Sequence, residues 1–550
     1  MTESSPAPQK GRHYNPWVVL AVLCVGLFML LLDGTIVNVA IPHIMTDLKT
    51  SFSAIEWVMN AYILVFAVSL VTFGRFGDLY GRRLLFVSGM GLFTAASLAC
   101  GLSTSIGMLI AFRVLQGLGG AAMMPSTLSI IAAVFPASRR GTAMGIWGAV
   151  SGLATAIGPS LGGLIVDGAS WKWIFLINVP IGAIAIPLTL RLVPESRNPT
   201  AVTSLDLPGV CLISASLFCL TFALIEGQSY GWTSPLILGL FAGCVVFFLV
   251  FFFREQRERQ PLIDFSLFRI PSFAAGNLTG LILSFGMMGV FFTIPIFLQS
   301  VLGYSAIKAG AVMSPLSIAV MIAAPVAGFL SDKLGSRWLI AIGMLLMSFG
   351  IAIMAGLMPW QDAISPSTTA LSLILPFVIC GFGIGLAIAP TTSAVMATAP
   401  LDRVGNASGV LSTMRQLGSL MGIAVLGAVF QNRVAHNVIV GIEKIPGIPQ
   451  AVREQIVKAA RDGDTFSGGG GSGFMPAAFK TTVESWFTSA INTTFVVAVV
   501  VCLAGAVSAL FVRARATAPG ELLSDTGQEQ TTSAEAASAQ AAGATQGADL

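Results

Sequence analysis

The sequence predicts an all-α, polytopic membrane protein with fourteen transmembrane helices. Three observations carry that expectation: an excess of apolar over charged residues, apolar runs of spanning length along the whole chain, and basic residues concentrated in alternate loops. Hydrophobic residues fill 55% of the 550 positions and charged residues only 10%, and the mean hydropathy is +0.85. Too few polar groups remain to clothe so much apolar material in water, so lipid has to be the solvent for most of the chain.

Crossing a hydrocarbon layer roughly 30 Å thick takes about 20 apolar residues in a helix. Runs of that kind cover residues 17–41, 55–73, 84–102, 106–134, 141–166, 173–192, 207–224, 234–253, 273–298, 306–330, 338–357, 371–399, 405–430 and 486–511. The first run is longer than a signal-peptide core and has no small-residue cleavage pattern behind it, so it is expected to remain as a helix. With the N terminus inside, the short inner segments collect Arg75, Arg82, Arg83, Arg139, Arg140, Lys333, Arg337 and most other basic residues, whereas the short outer loops hold Lys49, Lys172 and Lys308. This asymmetry predicts both termini on the cytoplasmic side of a cell membrane and an even number of spans.

The organisation expected from these runs is a cytoplasmic N terminus over 1–16, a first bundle over 17–194, a linker with two inserted helices over 195–270, and a second bundle over 271–512. Within the second bundle, residues 431–485 read as an outer segment with an amphipathic piece near 450–461 and a glycine run over 468–473. The tail over 513–550 is rich in Ala, Gln, Ser and Thr and lacks the apolar content to fold. All seven cysteines (Cys24, Cys100, Cys211, Cys219, Cys244, Cys380 and Cys502) fall inside predicted spans without CxxC spacing, and the three histidines (His13, His43 and His436) have no metal spacing. Neither a disulfide framework nor a metal site is expected, and no cluster of nucleophiles or acids points to an enzyme. The basic residues follow membrane side, so they are no sign of nucleic acid.

Between the second and third spans the chain reads Gly74-Arg-Phe-Gly77-Asp78-Leu-Tyr-Gly81-Arg82-Arg83, and between the tenth and eleventh it reads Gly328-Phe-Leu-Ser-Asp332-Lys-Leu-Gly335-Ser-Arg337. Glycine, aspartate, glycine and arginine recur at the same offsets. A tight basic turn anchoring the inner interface would explain glycine and arginine but not the repeated acid. A duplicated six-helix unit, with spans seven and eight inserted between the copies, explains all of them and is a common route to alternating access.

The first of these segments resembles motif A of the major facilitator superfamily, except that Leu79 stands where a basic residue is usual. Arg113-Val-Leu-Gln116-Gly117-Leu-Gly119-Gly120 resembles motif B of that family. Gly148-Ala-Val-Ser-Gly152 with Gly158-Pro159-Ser-Leu-Gly162-Gly163 resembles the motif C of antiporters. Leu32-Asp33-Gly-Thr35-Ile-Val-Asn38-Val-Ala-Ile-Pro42 and Trp171-Lys-Trp-Ile-Phe-Leu-Ile-Asn178-Val-Pro180-Ile-Gly182 are similar to stretches of its 14-spanner drug/proton antiporters. The resemblance implies a major facilitator fold of two six-helix bundles plus two inserted helices. It further implies a monomeric multidrug exporter with small-molecule cargo, protons and the lipid bilayer as its partners, and a proton gradient in place of any cofactor. It also implies that Asp78 meets the start of the thirteenth span, so that Asp78, Arg82 and Arg83 latch the inner gate, with Asp332 and Arg337 as their repeat. Export of an endogenous lipid, siderophore or secondary metabolite would use the same machinery.

Charges inside a membrane are costly enough to be read as functional. Asp33 lies eight residues before Ile41 and Arg113 seven after Ile106, so at about 1.5 Å per residue both sit roughly 10 to 12 Å below the outer surface. Burial disfavours the charged carboxylate and the cation favours it, which makes the pair the expected proton-coupling site. Asn38, Tyr62, Gln116 and Arg415 are expected around the substrate cavity, whereas Glu56 and Glu226 are expected to be solvated at outer helix ends. The helix-5 glycines Gly148, Gly152, Gly158, Gly162 and Gly163 read as a close-packing face, with Pro159 inviting a bend. The tenth and thirteenth spans carry no Asp or Glu, which favours monocationic or neutral lipophilic cargo over dications.

Overall fold

The computed structural model describes residues 14–50, 52–196, 206–258, 261–263, 265–359, 363–399, 404–443, 450, 453 and 480–512. No strand occurs among them. The helices are α1 (Pro16–Asp47), α2 (Phe52–Tyr80), α3 (Arg82–Gly101), α4 (Ile106–Val134), α5 (Ala137–Gly168), α6 (Trp173–Leu176), α7 (Asn178–Leu192), α8 (Leu207–Tyr230) and α9 (Pro235–Glu255). They continue with α10 (Pro271–Ile296), α11 (Ala306–Leu334), α12 (Arg337–Met354), α13 (Ala370–Thr398), α14 (Val404–Glu443) and α15 (Lys480–Ala509). Thirteen stretches of the described residues are long and apolar enough to cross a membrane. The glycine-rich α5, 32 residues long, completes fourteen.

Local chemistry sets many of the helix starts. Asn15 caps α1 by accepting the Trp17 amide at 3.0 Å, with Pro16 as the first helical residue. Ser234 and Ser305 cap α9 and α11 in the same way. At the turn between α2 and α3 the backbone of Gly81 has φ +113°, which an L side chain rarely adopts.

Helices α1, α2, α4 and α5 interlock with the outer pair α3 and α7, and α10, α11, α13 and α14 interlock with α12 and α15. The two groups meet along α5 against α11 and α2 against α14. The inserted helices α8 and α9 pair with each other, and α8 leans on α2 and α14. Helix α9 turns Val245, Val246 and Phe253 outward, as expected of a helix bathed in lipid.

Three elements differ from the sequence expectation. Residues 74–80, expected as a loop, are the last turns of α2, so Asp78 lies within that helix and not before α3. The sixth span is divided at Ile177 into α6 and α7. Helix α14 runs on to Glu443 rather than ending at 430, because Phe430, Val434, Val438 and Ile442 recur every fourth residue and are buried. That stripe meets the start of α15, where Phe430 and Phe487 stack edge to face at 6.2 Å and Asn437 Nδ2 donates to the Trp486 carbonyl at 3.1 Å. Residues 444–449, 451–452 and 454–479 of the outer segment, the glycine run among them, and the tail over 513–550 lie outside the described residues.

Candidate functional site

Asp33, halfway along α1, has 0% of its surface exposed, and so has Arg113 of α4. The structure joins them: Arg113 Nη1 lies 2.5 Å from Asp33 Oδ2. The other carboxylate oxygen, Oδ1, accepts Gln116 Nε2 at 2.8 Å and Asn178 Nδ2 at 3.2 Å. Gln116 also accepts Arg113 Nη1 at 2.7 Å and donates to Ser97 Oγ at 2.8 Å. Arg113 Nε donates to the Val58 carbonyl at 3.0 Å, and its guanidinium lies 4.1 Å from the Tyr62 ring centroid. An ion pair in a low-dielectric site leans on hydrogen bonds to its other polar atoms; this one, enclosed by four helices and the break at Ile177, has most of them, while Arg113 Nη2 and Asn178 Oδ1 have no hydrogen-bond partner among the described residues. That break places Asn178 at the start of α7, with its amide on the carboxylate.

The repeated motif makes two carboxylate contacts between the groups of helices, on the face that carries the α2–α3 turn. Asp78 Oδ1 accepts Gly405 N at 3.0 Å and Oδ2 accepts Asn406 N at 2.9 Å, where α14 begins in the opposite group of helices. Arg82 Nη2 adds an ion pair to Asp78 at 2.9 Å. In the repeat, Asp332 accepts Gly141 N at 2.8 Å and both the amide and the hydroxyl of Thr142 at 2.9 Å, early in α5. Asp78 thus meets the first turn of α14, where amides and dipole favour an anion, and Asp332 meets α5 just past its first turn. Glycines make the approach possible. A Cβ on Gly74 would stand 2.7 Å from the Gly405 carbonyl oxygen, and one on Gly145 would stand 2.6 Å from that of Ala324.

The two arginines expected beside these acids lie elsewhere. Arg83 donates to the Val193 carbonyl at 3.3 Å, while Glu195 accepts the amides of Arg83 and Leu84 at 3.1 and 3.2 Å, capping α3. Gly81 admits that carboxylate, since a Cβ there would stand 2.7 Å from Glu195 Oε1. Gly77 has room for a Cβ at ordinary contact distance. Arg337 is exposed, with its guanidinium 5.3 Å from the Trp338 ring centroid and no ion pair among the described residues.

The glycines of α5 change partner along the helix. Gly148 and Gly152 face α11 and α13, where a Cβ would stand 3.2 Å from Ile388 and 3.0 Å from Val320. Gly158 instead abuts Thr35 of α1 within its own group. Gly162 and Gly163 are buried, and the side chains of Pro159, Asn38 and Glu56 lie outside the described residues. Glu226, expected in solvent, is 8% exposed because α8 continues to Tyr230.

Between the two groups lies a cavity of about 190 Å³, walled by apolar side chains such as Leu31, Phe66, Met287 and Phe291, and by Trp147 and Arg415. Toward the face of the α2–α3 turn it is shut by the two carboxylate contacts and by Ser129 Oγ against Ser408 Oγ at 2.7 Å. Asp33, Tyr62 and Gln116 do not line it; Tyr62 and Gln116 belong to the Asp33 cluster. Arg415 does, as the one charged side chain among the described lining residues. Ser97, Thr142, Glu195 and Asn406 carry no sequence signal of their own, whereas Asn178 stands in a recognisable stretch. The described residues hold no group of three or more His, Cys, Asp or Glu side chains fit for a metal ion.

Comparison with known proteins identifies the family. The sequence profile described as Major Facilitator Superfamily matches residues 23–423. The chain is 34% identical to the "Tetracenomycin C resistance and export protein" of Streptomyces glaucescens, over 92% of this chain and 93% of that one. It is 35% identical to the "Multidrug resistance protein Stp" of Mycobacterium tuberculosis, over 78% and 79% of the two chains. Among solved structures, human MFSD10 (TETRAN) superposes with a TM-score of 0.56 at 13% identity, covering 89% of this chain and 100% of that one, which shows a shared fold. The chain belongs to the major facilitator superfamily, and it is a membrane transporter rather than an enzyme.

Proposed function

We propose that this transporter is a monomeric proton-coupled antiporter that exports small lipophilic molecules across the cell membrane, with its termini and its latch face in the cytoplasm. The observation that carries the reading is the fully enclosed Asp33–Arg113 pair, the one buried acid-base pair of the described residues at mid-bundle depth. A proton arriving from outside neutralises Asp33, the bundle rocks without carrying a bare carboxylate through its apolar barrier, and deprotonation inside resets it. No cofactor is needed, because the proton gradient supplies the energy. The inner location of the latches is supported by the basic residues beside them. The closed latches and the cavity above them fit the outward-facing half of such a cycle.

The names of the two relatives favour export of drug-like compounds. Of the monocationic and neutral cargo that the sequence allows, neutral lipophiles are favoured, since Arg415 lines the cavity and no described acid does. The test is transport of tetracenomycin C into inside-out proteoliposomes under an imposed pH difference. Wild type should accumulate it, and Asp33→Asn should bind it without accumulating it. Accumulation against its gradient by the Asn variant, with only a pH difference imposed, would remove Asp33 from the coupling role.

A further inference from the structure

The central cavity contains one charged group whose hydrogen-bonding capacity is only partly used. Arg415 projects from α14 and is fixed by Nη2 alone, which donates to the Ile388 carbonyl at 3.1 Å and to Thr392 Oγ1 at 2.6 Å, both on α13. No hydrogen bond to Nη1 or Nε is present among the described residues, and no Asp or Glu among them forms an ion pair with Arg415. Its guanidinium carbon lies 5.7 Å from the ring centroid of Trp147, across the boundary between the two groups of helices. An ordinary structural arginine would spend its fork of donors on a carboxylate or on several carbonyls. Here one edge is anchored and the other faces space.

A second, independent observation lies one helical turn away. Ser412 lines the same cavity and is 4% exposed, yet its hydroxyl has no hydrogen-bond partner among the described residues. Buried hydroxyls are normally satisfied. Positions 412 and 415 are three apart on one helix and therefore share a face, and Gln416 beside them also lines the cavity. The set offers a cation, a hydroxyl and an amide, with donors in excess and no anion. The remaining walls are mostly apolar and aromatic, with Ser151, Ser284, Ser317 and Ser419 among them.

Resting on the export reading above, we propose that this cavity selects lipophilic aromatic molecules bearing an acidic group, a carboxylate or an ionised phenol or enol. Arg415 binds that group, Ser412 donates to it, and Trp147 and Phe66 hold the ring system. An anionic group makes the loaded cavity neutral, whereas a monocation of the same shape would add a second positive charge to a site with no counter-charge. Neutral lipophiles bind through the walls alone. Arg415 is thus a specificity-determining residue, distinct from the Asp33 cluster.

The experiment measures equilibrium binding to the full-length protein in lipid nanodiscs. The ligands are three planar probes of one shape and different charge: 2-naphthoate, 2-naphthamide and 2-naphthamidine. A charge-assisted contact of about 1.5 to 3 kcal/mol corresponds to roughly a ten- to hundredfold preference, so wild type should bind the naphthoate at least about tenfold more tightly than the amidine. Arg415→Gln should collapse that ratio to within about threefold, and Arg415→Lys, which keeps the charge but loses the fork, should retain part of it. A monodisperse size-exclusion profile checks that each variant is folded. Amidine binding as tight as naphthoate binding in wild type would overturn the proposal, as would a ratio unchanged in Arg415→Gln. Binding in nanodiscs needs no gradient, so these failures leave proton-coupled export standing; loss of pH-driven transport in wild type strikes that reading instead.

Discussion

Asp78→Asn probes the proposed latch with almost no change in shape. The carboxylate receives three donors, the amides of Gly405 and Asn406 and the guanidinium of Arg82. Asparagine keeps one acceptor oxygen and presents an NH2 where the second accepted, so one amide loses its partner and the ion pair with Arg82 disappears. At about 1.5 to 3 kcal/mol for a hydrogen bond to a charged group, the latched state should lose about 2 to 3 kcal/mol, a factor of roughly 30 to 150 in the opening equilibrium. Hydrogen exchange followed by mass spectrometry reads this directly, because a latched amide exchanges only when the contact opens. The peptide spanning residues 404–412 should exchange faster by about that factor, while the far end of α15 stays as it was. The corresponding Asp332→Asn should loosen the start of α5 by a similar amount, since that carboxylate also receives three donors. Protection of residues 404–412 equal to wild type in Asp78→Asn would show that the carboxylate does not hold the gate.

Two substitutions test the packing that supports these sites. Gly328→Ala places a Cβ against the Gly141 carbonyl and 2.9 Å from Gly145 Cα; backbone on both sides leaves nothing to yield, so the latched state should lose about 1 to 3 kcal/mol, seen as a lower thermal midpoint in detergent. Val438→Asp puts a charge on the buried stripe of α14, where Val438 is 1% exposed, and should cost about 3 kcal/mol or more. The nearby exposed position Asn432, changed to Asp, should shift the same midpoint little.

The helical spans were legible because apolar runs of spanning length have few competing explanations. The meeting of Asp33 with Arg113 was legible too, since the rise per residue converts sequence position into depth once two helices are assigned opposite directions. What encloses the pair was not: Ser97, Gln116 and Asn178 come from three helices, and nothing local says which faces turn toward α1. The repeated aspartates announced themselves by their spacing, yet their true partners are backbone amides, which leave no trace in side-chain identity. For the same reason the neighbouring arginines misled; Arg83 and Arg337 look equivalent to Arg82 in the motif, but Glu195 claims the first helix start and the second arginine points outward. The continuation of α14 was readable in principle from the period of Phe430, Val434, Val438 and Ile442, but Arg433 and His436 between them lower the mean hydropathy enough to hide a helix leaving the apolar layer.

On the proposed reading, the separation between the acid and the cavity constrains how a proton gradient would drive export. With Asp33 fully enclosed and both its oxygens engaged, cargo in the cavity does not compete with the proton for the same atoms in this conformation. The proposed coupling would have to pass through what lies between. Tyr62 and Phe66 are four apart on α2, their rings stacked with centroids 5.9 Å apart; the first carries the Arg113 guanidinium on its face, and the second lines the cavity. When a proton neutralises Asp33, Arg113 loses its anion but keeps the Val58 carbonyl, the Gln116 amide oxygen and the Tyr62 face. Its balance of contacts then shifts toward α2, the helix whose other end holds Asp78 against α14. One helix therefore touches the proposed proton site, the cavity wall and the Asp78 contact in succession, so a displacement of α2 relative to α1 and α4 would change all three at once. A proton and a substrate can then exclude each other's favoured conformation without sharing a binding site, because each needs only a different preference for the two positions of that helix.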